Sequence, residues 1–331
     1  MNGTEWRVQT NAAYDALCLL NVFTDQALYT AQHSALVEQW QPRLTATALG
    51  TLQRVQRAFE IGILSARLCL LFSDAAPQTL DDLERAAVQP GQLLRAYRAL
   101  PYANPEEEQR LKATLPDLLT LIRFLHDHHF EARWAADLGP AIGARLANLR
   151  QTLARYGVVP AAERALGRPV DAAIVEVYVQ AYTAPHGIKL IGPRFITAPS
   201  WPAEVTVRVA VHELMHPPFD LHRPELQAAF TRLARDPELW AAFAGHDPQF
   251  GYTTWDGYVE ENCVRALDQV IAESFGIARD AQERFRQEDA GVHVLAARLT
   301  PLLRRRTPEG FFGDWLTEQV ERGELVEAPS R

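Results

Sequence analysis

His212-Glu213-Leu214-Met215-His216 is the stretch that most constrains how this chain can fold. It has the form His-Glu-x-x-His. Residues i and i+4 share one face of an α-helix, about 6 Å apart along its axis. Two imidazoles placed so can each give one ring nitrogen to a single metal ion, which requires a helix at this point. Glu213 is turned roughly 100° from His212, off the metal but within reach of a water beside it. The flanks agree with a helix. Upstream, Ser200 is a candidate N-cap, Pro202 sits in the first turn and Glu204 suits the positive helix end. Val205, Val207, Val209, Ala210 and Val211 lead into the motif as an apolar run, as expected of a helix buried on several sides. Downstream, Pro217 and Pro218 disfavour helix at the preceding residue, so the helix is expected to end at or near His216.

A catalytic zinc usually takes three protein ligands and keeps a fourth position open. His222 falls where the metzincin pattern HExxHxxGxxH places its last histidine. That pattern needs Gly at the eighth place, where this chain has Phe219, and a downstream Met-turn, whereas Met215 is the last methionine. His222 is therefore expected to be a loop residue. The other candidates lie in a second helix, expected over 258–275. Val264, Leu267, Ile271 and Phe275 recur there at helical spacing, and Gly276 is a natural C-cap. Glu260 and Glu261 open this helix about 100° apart, so one of them faces a neighbouring helix. Glu260 stands over Cys263, Val264 and Leu267, and Glu261 over Val264, Arg265 and Asp268. Periodicity alone leans to Glu260.

The pentapeptide followed by a Glu-bearing helix resembles the gluzincin metallopeptidases, over roughly residues 170 to 280. The run Glu261-Asn262-Cys263-Val264-Arg265-Ala266 is similar to the Glu-x-x-Val-Arg-Ala stretch of an uncharacterised bacterial gluzincin-like family. The resemblance implies Zn²⁺ held by His212, His216 and Glu261. It implies hydrolysis of a peptide bond, with Glu213 taking the proton of a zinc-activated water and returning it to the leaving nitrogen. It also implies a Tyr, His or Arg donor for the oxyanion that forms. Tyr252, on the loop before the second helix, is the first choice, ahead of Tyr258. Arg265, one turn beyond Glu261, could orient that carboxylate or bind substrate, and His186 is a further substrate-binding candidate. One alternative is a structural zinc in a protein-binding module. Glu213 speaks against it, because a structural site needs no base and prefers four closed ligands, usually with Cys. An amidase acting on a non-peptide amide would use the same residues.

The expected fold is α+β and mostly helical. Residues 171–182, 188–192 and 193–197 are β-branched, aromatic and partly alternating, which predicts a small sheet ahead of the motif helix. In the zincin folds that the chain resembles, such a sheet borders the catalytic cleft. Helices are expected over 12–29, 44–72, 111–130 and 142–156. Another opens at the acidic capping box Thr79-Leu80-Asp81-Asp82 and runs toward Val88. Gly157, Pro160, Gly167 and Pro169 mark the best boundary, giving a helical N-terminal region at 1–160 and a zincin-like catalytic domain at 161–331, with a shared core left open. A net charge of −8 speaks against nucleic acid as a partner. Cys18, Cys69 and Cys263 are widely spaced and odd in number, so a reduced, cytoplasmic compartment is the simpler expectation. No basic region followed by a long apolar stretch opens the chain, and the apolar run 61–72 is short and holds Arg67, so neither a secretory signal nor a membrane span is expected. His126, His128 and His129 point different ways on a helix and are expected to be a surface cluster.

Overall fold

The computed structural model describes residues 3–24, 26–59, 63–98, 105–172, 174–247, 250, 252 and 254–326. It is mostly helical with one four-stranded sheet, an α+β arrangement. Among the described residues no helix is long and apolar enough to cross a membrane. The chain gathers into two units that are not consecutive halves. One, the motif unit, comprises Met1–Glu5, Leu153–Ala173 and Ala203–Arg331, and the other, the helical unit, comprises Trp6–Thr152 and Ile174–Pro202.

In the helical unit, strands β1 (Glu5–Gln9, whose first residue counts with the motif unit), β2 (Ile174–Val179), β3 (Ile188–Lys189) and β4 (Arg194–Thr197) lie in the order β1-β2-β4-β3. β2 and β4 run parallel, with Glu176 beside Arg194 and Val179 beside Thr197. β3 and β4 are antiparallel, with Ile188 beside Ile196. The three strands read from sequence are present but shorter, and β1 was not foreseen. Tyr178, Tyr182, Ile188 and Ile196 join the core formed by Leu17, Leu20, Trp40, Phe72, Leu118 and Phe130. This shared core explains why residues 174–202 group with the N-terminal helices, where the expected division at 160/161 put them with the motif helix.

The expected helix at 12–29 is two helices, Ala12–Val22 and Ala27–Gln32. The stretch 44–72 contains Ala46–Ala58 and Leu64–Phe72, and residues 60–62 lie outside the described residues. Thr79 and Asp82 form the predicted capping box at the head of Leu80–Val88, each accepting the other's backbone N–H. In the motif unit the stretch read as a boundary contains a helix, Val158–Leu166. Pro160 falls in its first turn, where no intrahelical N–H bond is lost. Gly167 ends it with φ +70°, a left-handed C-terminal residue. This helix and Trp255–Ser274 both pack on the motif helix Ala203–Leu214. Trp255–Ser274 also packs on Val294–Leu303, and Val264, Leu267, Leu295 and Leu299 of these helices are buried.

Candidate metal centre

The motif helix starts at Ala203, so Pro202 precedes it and Ser200 is not its N-cap. Val207, Ala210, Val211 and Leu214 are buried, as the apolar run implied. Regular helix ends at Leu214, two residues before the second histidine. The Met215 N–H donates to the His212 carbonyl at 3.2 Å, an i to i−3 bond that tightens the last turn. His216 thus sits just past the helix, yet its Nε2 lies 3.1 Å from His212 Nε2.

Glu261 completes the group. Its carboxylate oxygens are 3.6 Å from His212 Nε2 and 3.5 Å from His216 Nε2. Four-coordinate zinc with bonds of about 2.0–2.1 Å has donor–donor edges of roughly 3.3–3.4 Å, and these separations, measured to Oε1 and Oε2 of the one carboxylate, are close to that. Among the described residues these three side chains are the single group of three or more able to hold a metal ion. The second carboxylate also has a place. Glu260 Oε1 lies 3.0 Å from His216 Nδ1, and Asp268 Oδ2 lies 3.0 Å from His212 Nδ1. Each imidazole that donates Nδ1–H to a carboxylate has its Nε2 lone pair left for the centre. Three acceptors then converge on one point, and a cation between them relieves their mutual repulsion. This donor set fits a divalent ion such as Zn²⁺ and does not by itself single out the element.

The charges around the centre favour a positive group there, which in the absence of a metal is a proton on His216. Burial works against a charged His216, but hydrogen bonds to Glu260 and Glu261 and the charges of Glu261 and Glu213 overcome it and push the imidazole up to about 10. Burial works against the Glu261 carboxylate as well. The charges of His212, Arg265 and His216 reverse that and hold it well below the usual range. Asp268 is held down to about 2, where the Arg284 charge and the bonds from His212 and Arg284 outweigh burial. Glu213 is partly exposed and close enough to act on His216.

Arg265 Nε donates to Glu261 Oε1 at 2.7 Å, and its other nitrogens reach Glu288 at 2.7 Å and Asp289 at 3.3 Å. Of its two expected roles, orienting Glu261 is the one the contacts display. The Tyr252 hydroxyl donates to Asp289 Oδ2 at 2.6 Å. Burial and then the nearby Glu261 charge keep this phenol protonated, so it remains a donor. Tyr258 is fully buried and gives its hydroxyl proton to the Val292 carbonyl at 2.9 Å, a packing role. His186 belongs to the helical unit, where its Nδ1 hydrogen-bonds the Tyr29 hydroxyl at 2.8 Å. His222 is exposed and outside the cluster, and His126, His128 and His129 form no metal group. Cys18, Cys69 and Cys263 are free and buried.

Sequence reading missed the supporting groups Asp268, Arg284, Glu288, Asp289 and His293. One signal was available: Glu261, Arg265 and Asp268 fall at i, i+4 and i+7, a polar line beside the apolar stripe of one helix. Fold and site define a mostly helical α+β protein with a candidate His-His-Glu metal centre. Comparison with protein-family models, with curated proteins and with solved structures finds no match to the chain.

Proposed function

We propose that this protein is a zinc-dependent hydrolase that cleaves peptide bonds. The observation that carries the reading is the convergence of His212 Nε2, His216 Nε2 and a Glu261 oxygen within 4.8 Å of one another, with Glu213 one residue from the first ligand. Zinc bound there would supply Lewis acidity toward a carbonyl and toward water. Glu260 and Asp268 hold the two imidazoles in the tautomer that presents Nε2, and Arg265 holds Glu261 ionised. Glu213 is the general base: its carboxylate takes the proton of the attacking water and returns it to the leaving nitrogen. Tyr252, kept protonated, would turn its O–H from Asp289 to the developing oxyanion.

The test combines metal analysis of the purified chain with hydrolysis of a broad peptide library. Glu213→Gln is expected to bind the metal as tightly as the unaltered chain and to lose turnover. A Glu213→Gln protein that hydrolyses at the unaltered rate defeats the assignment of the base. An unaltered chain that binds no zinc defeats the reading as a whole.

A further inference from the structure

Glu288 touches none of the three candidate ligands, yet two of them reach it by separate routes. Arg265 donates through Nε to the ligand Glu261 at 2.7 Å and through a second nitrogen to Glu288 Oε2 at 2.7 Å. Arg284 grips Asp268 with both terminal nitrogens, one of them 3.1 Å from Oδ2, the oxygen that faces His212. Through Nε it donates to the same Glu288 Oε2 at 3.0 Å. One carboxylate oxygen therefore joins two chains, Glu261–Arg265–Glu288 and His212–Asp268–Arg284–Glu288. Its other oxygen pairs with Arg279, which is half exposed.

The backbone that presents Glu288 is unusual. It opens the short turn Glu288–Gly291, in which Asp289 and Ala290 have φ of +47° and +57°. Side chains other than glycine rarely adopt this conformation, and it persists where surrounding contacts over-determine it. They do so here. Asp289 Oδ2 accepts from Tyr252 at 2.6 Å, is 2.9 Å from His293 Nε2 and lies 3.3 Å from Arg265. Arg284 and Arg265 are largely withdrawn from solvent, so a common anion between them keeps their charges from falling wholly on Asp268 and Glu261.

We propose that Glu288 is a positioning residue that sets the metal affinity of the centre by coupling His212 and Glu261 through two arginines. The proposal rests on the metal-centre reading above. With Glu288 neutral, Arg265 draws more strongly on Glu261 and Arg284 on Asp268, so Glu261 directly and His212 through Asp268 become poorer donors.

The experiment measures Zn²⁺ and Co²⁺ affinity of the full chain by competition with a chromophoric chelator. It also records the Co²⁺ absorption spectrum and the thermal unfolding of metal-free protein. Glu288→Gln is expected to weaken both metals about 10- to 100-fold, the range for groups that support metal ligands, and to alter the Co²⁺ spectrum. Glu288→Asp, which keeps the charge but withdraws it by one methylene, should fall between. Arg279→Met removes the third partner of Glu288 but leaves both arginine bonds to Glu288 Oε2 in place, and should keep the affinity within about twofold. Unchanged affinity in Glu288→Gln, or an equal loss in Arg279→Met, overturns the proposal while leaving the metal centre standing. An unaltered chain that binds neither metal overturns both.

Discussion

Glu260 and Glu261 are adjacent acids with different predicted roles, and replacing each by Gln separates them. Glu261 points both oxygens at the Nε2 atoms, whereas Glu260 meets His216 at its outer nitrogen. A four-ligand structural zinc site is worth about 10–16 kcal/mol, so one ligand accounts for roughly 3 kcal/mol, or at least about 100-fold in affinity. Glu261→Gln should lose that much. Glu260→Gln keeps a carbonyl oxygen that can accept from His216 Nδ1–H, so its loss should stay near the lower end of the roughly 10- to 100-fold range for supporting groups. The assay is Zn²⁺ competition with a chromophoric chelator, with unfolding of the metal-free proteins as a check, because Glu260 is only 2% exposed. Cobalt adds an independent view: four-coordinate absorption should survive in Glu260→Gln and collapse in Glu261→Gln. If Glu260→Gln proves the more damaging, the ligand assignment is inverted, and the argument from converging Nε2 atoms is wrong with it.

Tyr252→Phe removes the candidate oxyanion donor and its bond to Asp289; turnover of a cleaved peptide at saturating metal should fall about 10²- to 10³-fold. Unchanged turnover would reduce Tyr252 to a tether for Asp289. Gly167→Ala should destabilise the motif unit, because φ is +70° and the new Cβ would lie 1.8 Å from the Gly310 carbonyl oxygen. The left-handed conformation alone costs about 1–2 kcal/mol, and with the clash the midpoint of thermal unfolding should drop by more than about 4 °C. Asp15 in the helical unit gives a pH effect, since burial pushes its carboxyl from 3.8 up to about 7 against donors from Tyr182, Ala181 and Trp134. A raised folded pKa contributes stability that is complete below 3.8 and lost as pH rises through about 7. Urea unfolding should show the unaltered chain losing roughly 2–3 kcal/mol relative to Asp15→Asn between pH 5 and 8, and equal slopes for the two proteins would refute the shift.

What could be read from sequence was what repeats along one element. The spacing of His212 and His216, the proline stop after them and the stripe Val264, Leu267, Ile271 required no partner to be legible. Their outcomes were two packed helices and a helix that stops at Leu214. The N-terminal strand β1 escaped because Glu5–Gln9 is only five residues long, too short for its alternation of exposed and buried positions to stand out. The helix at Val158–Leu166 escaped because Gly157, Pro160 and Gly167 read as breakers, although a proline in a first turn and a glycine after a last one are compatible with a helix between them. Periodicity placed Glu260 over the apolar stripe and so leaned toward it. It is indeed the more buried of the two acids, but burial goes with the supporting role, and the partly exposed Glu261 faces the centre.

That exchange has a physical basis. A group that fixes a histidine tautomer works best where water cannot compete for the Nδ1–H, and Glu260 and Asp268, 2% and 3% exposed, meet that condition. A metal ligand at a working site must instead border an open coordination position, and His212, His216 and Glu261 are all partly exposed. Buried carboxylates of this kind persist only when their charge is answered. Asp268 is answered by Arg284 and His212, and Glu261 by Arg265 and the two imidazoles. Arg284 and Glu288 are four residues apart, but nothing in the linear order brings Arg284 to Asp268 or Glu288 to Arg265, because these contacts join the helix Trp255–Ser274 to the segment that follows Asp280. The two candidate histidine ligands follow from helical repeat, whereas Glu261 and the charges that would make the three usable follow from how three separate segments pack.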